Sequence, residues 1–223
     1  MWEALRTKIV AFAFLEFIFL LFFCSSSSNA QLPRSERNAA GTLINQDYFT
    51  ANQYPVLKKL LWSVEKNHLD DRVLQLYAPE SHKPESYQPE SYKYALADIK
   101  YTLEKFPNHP KALMVMSSIA RLTKALAMPI PYYNNALRFY PQYAITHAQY
   151  GNYLVEIGQV DSGIERLKQA IEKEPGLALA HAWLANAYVK KGDLELARLA
   201  AKEARKLGYK GELLSAANKS ETK

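Results

Sequence analysis

Cysteine is nearly absent from this chain of 223 residues, which has only Cys24. A lone cysteine excludes an internal disulfide, a cysteine-rich zinc site and a CxxC redox pair together. Glycine is also scarce, at 8 residues, and charged residues make up 22% against 48% hydrophobic. That balance excludes a disordered polyelectrolyte and a polytopic membrane protein, and fits a folded chain of one domain or two small ones. The 28 Lys+Arg exceed the 22 Asp+Glu to give a net charge of +6, yet the bases are scattered rather than gathered in a patch. Nucleic acid is therefore not an expected partner. A phosphate loop, a dinucleotide glycine pattern, HExxH and GxSxG are missing as well. No enzyme is expected, and no catalytic, cofactor-binding or metal-binding residue is assigned.

What the chain does have begins with an export segment. Arg6 and Lys8 charge the start, Ile9 to Phe23 is apolar apart from Glu16, and Ser28-Asn29-Ala30 places small residues where a signal peptidase reads. Residues 1–30 read as a signal peptide cleaved before Gln31. The apolar run is 15 residues, short of the ~20 that a spanning helix needs, so a retained inner-membrane anchor is the alternative. Lipidation at Cys24 is a third reading, with Leu21 three residues before it but the bulky Phe23 adjacent. Cleavage would remove two bases and two acids, leaving the charge at +6 and the mature chain without a thiol, which suits an oxidising compartment. The expected location is the bacterial periplasm.

The second half of the sequence repeats itself. With an offset of 34, His147 falls on His181, Gly151 on Ala185, Asn152 on Asn186, Gly158 on Gly192, Gly163 on Ala197 and Ala170 on Ala204. Each unit reads as two amphipathic helices: Ala144 to Ile157 and Ser162 to Glu174, then Leu179 to Lys190 and Leu194 to Leu207. Gly158 and Gly192 mark the turns, and Pro175 ends one unit because proline cannot continue a helix. Gly151 with Gly163, and Ala185 with Ala197, stand where the helices of a hairpin cross, and small side chains let the backbones close together.

In these positions the chain resembles the tetratricopeptide repeat (TPR) family. The matching residues are Leu184, Ala185, Tyr188, Ala197 and Ala204 in the last unit, and Gly151, Leu167, Ala170 and Pro175 in the one before. One step back they are Met116, Ser117, Ala120, Tyr133, Ala136 and Pro141, with Met128-Pro129-Ile130-Pro131 displacing the start of the second helix. His147 and His181 replace a usual tryptophan, and Ala201 is smaller than usual. The resemblance implies an all-α TPR-type helical-hairpin solenoid of about three repeats over residues 110–211. A degenerate helical cap over 54–109 precedes it and a polar tail, 212–223, follows. Asp98 to Leu113 and Val64 to His68 also resemble a module found ahead of such repeats in some proteobacterial envelope proteins.

The front end is less regular. Residues 31–53 are polar and read as flexible, and Val56–Val64 and Leu69–Tyr77 read as short cap helices. The pentapeptide Pro-Glu-Ser-x-x occurs three times over 79–93 and reads as an exposed loop, since proline every fifth residue forbids a continuous helix. His147 and His181, at one place in adjacent repeats, read as packing residues rather than metal ligands. His68 and His109 read as helix-end residues, and His82 belongs to the pentapeptide loop. Trp62 and Trp183 are expected to be buried.

The family resemblance also implies a groove lined by the first helix of each repeat. The facing residues would be Lys111, Met114, Ser118, Arg121 and Leu122, then Ile145, Ala148, Asn152, Val155 and Glu156, then Leu179, Ala182, Asn186, Val189 and Lys190. Arg121, Asn152, Glu156, Asn186 and Lys190 are the candidate peptide-binding residues. Asn152 and Asn186 stand where the family often uses an asparagine, whose amide both donates and accepts and so matches a peptide group. The lysine that pairs a terminal carboxylate in the chaperone-binding subclass is replaced by Met114, Ala148 and Ala182. The expected function is a non-catalytic adaptor binding another protein or peptide, with a membrane-tethered subunit of a secretion, pilus or cell-wall assembly as the alternative.

Overall fold

Eight α-helices make up most of the computed structural model, which describes residues 36–69 and 89–213. These residues belong to one compact unit, Ser35–Lys223. The signal-peptide reading, the tail beyond Leu213, the Leu69–Tyr77 helix beyond Leu69, His82 and the first two pentapeptides lie outside the described residues. The helices are α1 (Pro55–His68), α2 (Pro89–Lys105), α3 (Pro110–Leu122), α4 (Ile130–Phe139), α5 (Ala144–Glu156), α6 (Val160–Lys173), α7 (Ala178–Lys191) and α8 (Leu194–Lys206). The repeat helices fall within two residues of the boundaries that the 34-residue period predicts. Three hairpins, α3/α4, α5/α6 and α7/α8, stack as a helical-hairpin solenoid, with α1 and α2 ahead of them.

Local chemistry sets the helix ends. α3 opens with Pro110 in its first turn, where a missing N–H costs nothing, and His109 caps it by accepting the Ala112 N–H at Nδ1, 3.3 Å away. α7 ends at Gly192, whose φ of 91° is a left-handed conformation that a side chain would strain. Proline also explains a departure from the sequence reading. The last pentapeptide does not belong to a loop, because its Pro89 opens α2, and a proline at a helix N-terminus breaks no hydrogen bond.

The hairpins close in two different ways. At the α5/α6 crossing a Cβ on Gly151 would stand 2.8 Å from the Gly163 carbonyl oxygen, and one on Gly163 would stand 2.6 Å from that of Gly151. Only hydrogen fits at either place. In α7/α8 the equivalent residues are Ala185 and Ala197, both fully buried, so a methyl pair does the same work. α3 and α4 hardly meet along their backbones. The ring of Tyr133 fills the gap: it is 1% exposed, and its phenol oxygen pairs with Ser117 Oγ at 2.9 Å. Tyr133 also stacks on Tyr150 of α5, 4.9 Å between centroids, carrying the core from one hairpin to the next.

Residues 36–53 are ordered, which corrects the expectation of a flexible segment. Glu36–Arg37 and Leu43–Ile44 form a two-stranded antiparallel hairpin. The chain then runs against the end of α2, where the Asn45 and Gln46 N–H groups donate to the Glu104 and Lys105 carbonyls at 2.9 and 2.7 Å. Asp47 is the hub of this strap. Its carboxylate accepts from Asn108 Nδ2 at 2.6 Å and from the Tyr143 hydroxyl at 2.5 Å, while the Tyr140 hydroxyl donates to the Asn45 carbonyl at 2.5 Å. Asp47 and Asn108 are buried, so each polar group is matched where water does not reach. The polar composition that suggests disorder is here the material of a satisfied network.

Candidate functional site: a groove along the first helices

α3, α5 and α7 stand side by side, and a pocket of about 170 Å³ opens between them. Two of its walls carry three of the predicted residues. Arg121, from the last turn of α3, pairs with Glu156 at the end of α5 and also donates to Ser118 Oγ at 2.8 Å. Asn152, one turn before Glu156, donates from Nδ2 to Glu156 Oε1 at 3.0 Å. The Glu156 carboxylate is thus held from both sides, and the three groups form one polar rim. Below it lie Met114, Tyr133, Tyr153 and Trp183. The Tyr153 hydroxyl donates to the Leu126 carbonyl at 2.5 Å, and burial raises its pKa, with the nearby Arg121 opposing and Glu156 adding to the rise. Tyr133 is pushed up more strongly, again by burial. Both phenols therefore remain neutral and act as hydrogen-bonding walls rather than as acids.

The other two predicted residues are placed differently. Asn186 lies on α7 and is not among the residues lining this pocket. Lys190 turns its ammonium back to the Val155 carbonyl, 3.3 Å away, and so ties α7 to α5. Among the wider set predicted to face the groove, Ala148, Val155 and Ala182 are buried at 0%, 3% and 0% exposure. They pack between adjacent first helices and offer nothing to a ligand. Met114, by contrast, is 53% exposed.

Five lining residues lie outside the set expected to face the groove: Ser117, Tyr133, Gln149, Tyr153 and Trp183. Gln149 and Trp183 both line the pocket and stand 34 apart, so one place in the repeat faces the groove in two successive units. Their recurrence was a legible signal. Trp183, expected to be a core residue, is only partly buried. Trp62, expected to be buried too, is 60% exposed, because α1 turns Leu57, Leu61 and Val64 to the core instead.

The recurring histidines behave as packing residues. His147 and His181 each donate from Nε2 to the carbonyl of the proline six residues earlier, Pro141 and Pro175, both at 2.9 Å. Each thereby fastens the start of a repeat to the end of the preceding one. Burial lowers the pKa of His147, favouring the neutral ring. Among the described residues no group of three or more His, Cys, Asp or Glu stands close enough to hold a metal ion, and no helix is long and apolar enough to cross a membrane.

Stacked helical hairpins with an open groove define a repeat protein of the helix–turn–helix class. The family comparison agrees, since a tetratricopeptide repeat model matches residues 151–209. The matched stretch covers the last two hairpins, from Gly151 in α5 to Tyr209 just after α8. Solved structures with a similar fold include TTC0263, a thermophilic TPR protein of Thermus thermophilus, at 20% identity over 72% of this chain and 86% of that one, with a TM-score of 0.49. Another is MamA from Desulfovibrio magneticus, at 19% identity over 71% and 94%, TM-score 0.45. A third is YrrB, a TPR protein with an unusual peptide-binding site, at 18% identity over 71% and 82%, TM-score 0.44. No curated protein matches the sequence. TPR proteins typically mediate protein–protein interaction and are generally non-catalytic scaffolds.

Proposed function

We propose that this chain is a non-catalytic adaptor of the bacterial periplasm, holding a segment of another protein in the groove of α3, α5 and α7. The observation that carries this reading is the convergence of Arg121, Asn152 and Glu156 over the apolar floor of Met114, Tyr153 and Trp183. A pocket of about 170 Å³ is smaller than the ~300–1,000 Å³ of ordinary small-molecule sites. It suits one anchoring side chain of a longer peptide, whose backbone would run across the polar rim. Apolar contact in the pocket would supply affinity, and the amide of Asn152 and the Arg121–Glu156 pair would set direction. Asn186 would meet the same peptide further along α7, while Lys190 holds α7 against α5. The periplasmic location is supported by the export segment and the thiol-free mature sequence.

A photoreactive amino acid placed at Ser118 tests this in cells. The expected result is crosslinking to a defined envelope protein, weakened by Arg121→Glu and by the Asn152→Ala, Asn186→Ala pair with helical circular dichroism unchanged. Crosslinks that are indifferent to all three changes would remove the groove assignment. The second reading, a membrane-tethered subunit of a secretion, pilus or cell-wall assembly, is favoured by the apolar run Ile9–Phe23. The intact mass of the exported chain separates the two, since a start at Gln31 excludes the tether.

A further inference from the structure

The outer face of α1 joins an exposed indole to exposed lysines. Leu57, Leu61 and Val64 point to the core, which at helical spacing leaves Lys58, Lys59, Trp62 and Lys66 together on the opposite side. All four are exposed. Trp62 is 60% exposed and Val56, at the edge of the same face, 61%. The Lys66 ammonium stands 4.7 Å from the Trp62 ring, a contact that shelters the indole while it is in water. The only carboxylate of the helix, Glu65, is turned aside, 3.4 Å from His109 Nε2. Three cations and an indole therefore share a face without a counter-charge from their own helix.

A face made by one helix is convex, so it offers no recess for a peptide chain. It does match a headgroup layer. An indole prefers the boundary between water and hydrocarbon, and lysine stems reach outward to place ammonium groups on lipid phosphates. In the tethered reading, the apolar run Ile9–Phe23 would also hold a bilayer within reach of this chain. We propose that this face of α1 rests on the surface of an anionic phospholipid bilayer, with Trp62 in the headgroup layer and Lys58, Lys59 and Lys66 on lipid phosphates. The surface is distinct from the groove and would leave it open to a partner.

Fluorescence of the full chain tests the proposal in a Trp2→Phe, Trp183→Phe background, where Trp62 is the remaining one of the 3 tryptophans. With vesicles of phosphatidylcholine and phosphatidylglycerol, Trp62 emission shifts to the blue and is quenched by phospholipid brominated near the headgroup. The apolar segment Ile9–Phe23 can insert into any vesicle, so the informative quantity is the Trp62 signal rather than total binding. That signal should be absent with phosphatidylcholine alone and disappear as salt is raised. Changing Lys58, Lys59 and Lys66 to Gln should weaken the anionic-vesicle response by about a hundredfold, roughly fivefold per lysine. Unchanged emission on anionic vesicles, or equal responses from the parent and the triple variant, would overturn it. So would a shift produced by poly-glutamate but not by vesicles, which would assign the face to an acidic protein.

Discussion

Between α5 and α6 the backbones meet at Gly151 and Gly163, whereas between α3 and α4 the ring of Tyr133 holds them apart. The second arrangement needs more support, and it receives it from residues 36–53, which run along the end of α2 and tie to Tyr140 and Tyr143 in the turn after α4. One region is closed by an absence of side chain and needs only its own repeat. The other is closed by a large side chain and borrows its hydrogen bonds from a distant segment. The comparison shows that the same helical period can be stabilised by packing within the repeat or by clamping from outside it.

The sharpest way to break this contrast is at Tyr133. Tyr133→Ala should cost about 4 kcal/mol, because a fully enclosed aromatic leaves a cavity that the two helices cannot close. Tyr133→Phe should cost only about 1 kcal/mol, the loss of the pairing with Ser117. Urea unfolding monitored by circular dichroism measures both. The counterpart in the next hairpin is Gly163→Val, expected to cost about 3 kcal/mol by forcing the helices apart. Equal tolerance of Val at that site would show that the crossing is not backbone-limited.

The clamp is tested at Asp47. Asp47→Ala leaves Asn108 and Tyr143 without their acceptor and should cost about 2 kcal/mol. Hydrogen exchange should rise first in residues 36–53, while α7 and α8 keep their protection; uniform acceleration would mean that the strap and repeats unfold as one unit.

The two regions should also differ in pH response. Burial, and then the neighbouring Asp47, pushes the Tyr143 phenol from 10.0 up to about 12. The fold therefore favours the protonated phenol, so its stabilisation is complete below pH 10 and lost as pH rises towards 12. His147 has the opposite sense. Its pKa lies below 6.5 because burial disfavours the charged ring, so its contribution is complete above 6.5 and falls away in mild acid. Tyrosinate absorbance on the alkaline side and histidine proton chemical shifts on the acid side should report the two transitions. The acid effect is the smallest of those expected here.

The repeats were legible because their signals are local. A glycine or proline at a helix end and a small residue at a crossing act over a few residues, so the period and the helix boundaries could be read directly. The groove was only partly legible. Arg121, Asn152 and Glu156 meet as the repeat register implies, but Ala148 and Ala182 are covered because neighbouring first helices pack closely, and the degree of that closeness is not written in either helix alone. Trp62 and Trp183 depart from their expected burial for a related reason, since an aromatic residue in an amphipathic helix can stand on the face that the remaining leucines leave free.

The strap was not legible at all. Nothing near Asp47 in the chain announces Asn108 or Tyr143, which lie 61 and 96 residues away. By itself the sequence determined that helices form, where they stop and that they pair in a repeating order, since each depends on neighbours within a turn or two. Only the tertiary structure decided that a polar segment would be ordered, which groove positions remain open and where Lys190 points, because burial and hydrogen-bond partnership are properties of groups brought together across the chain.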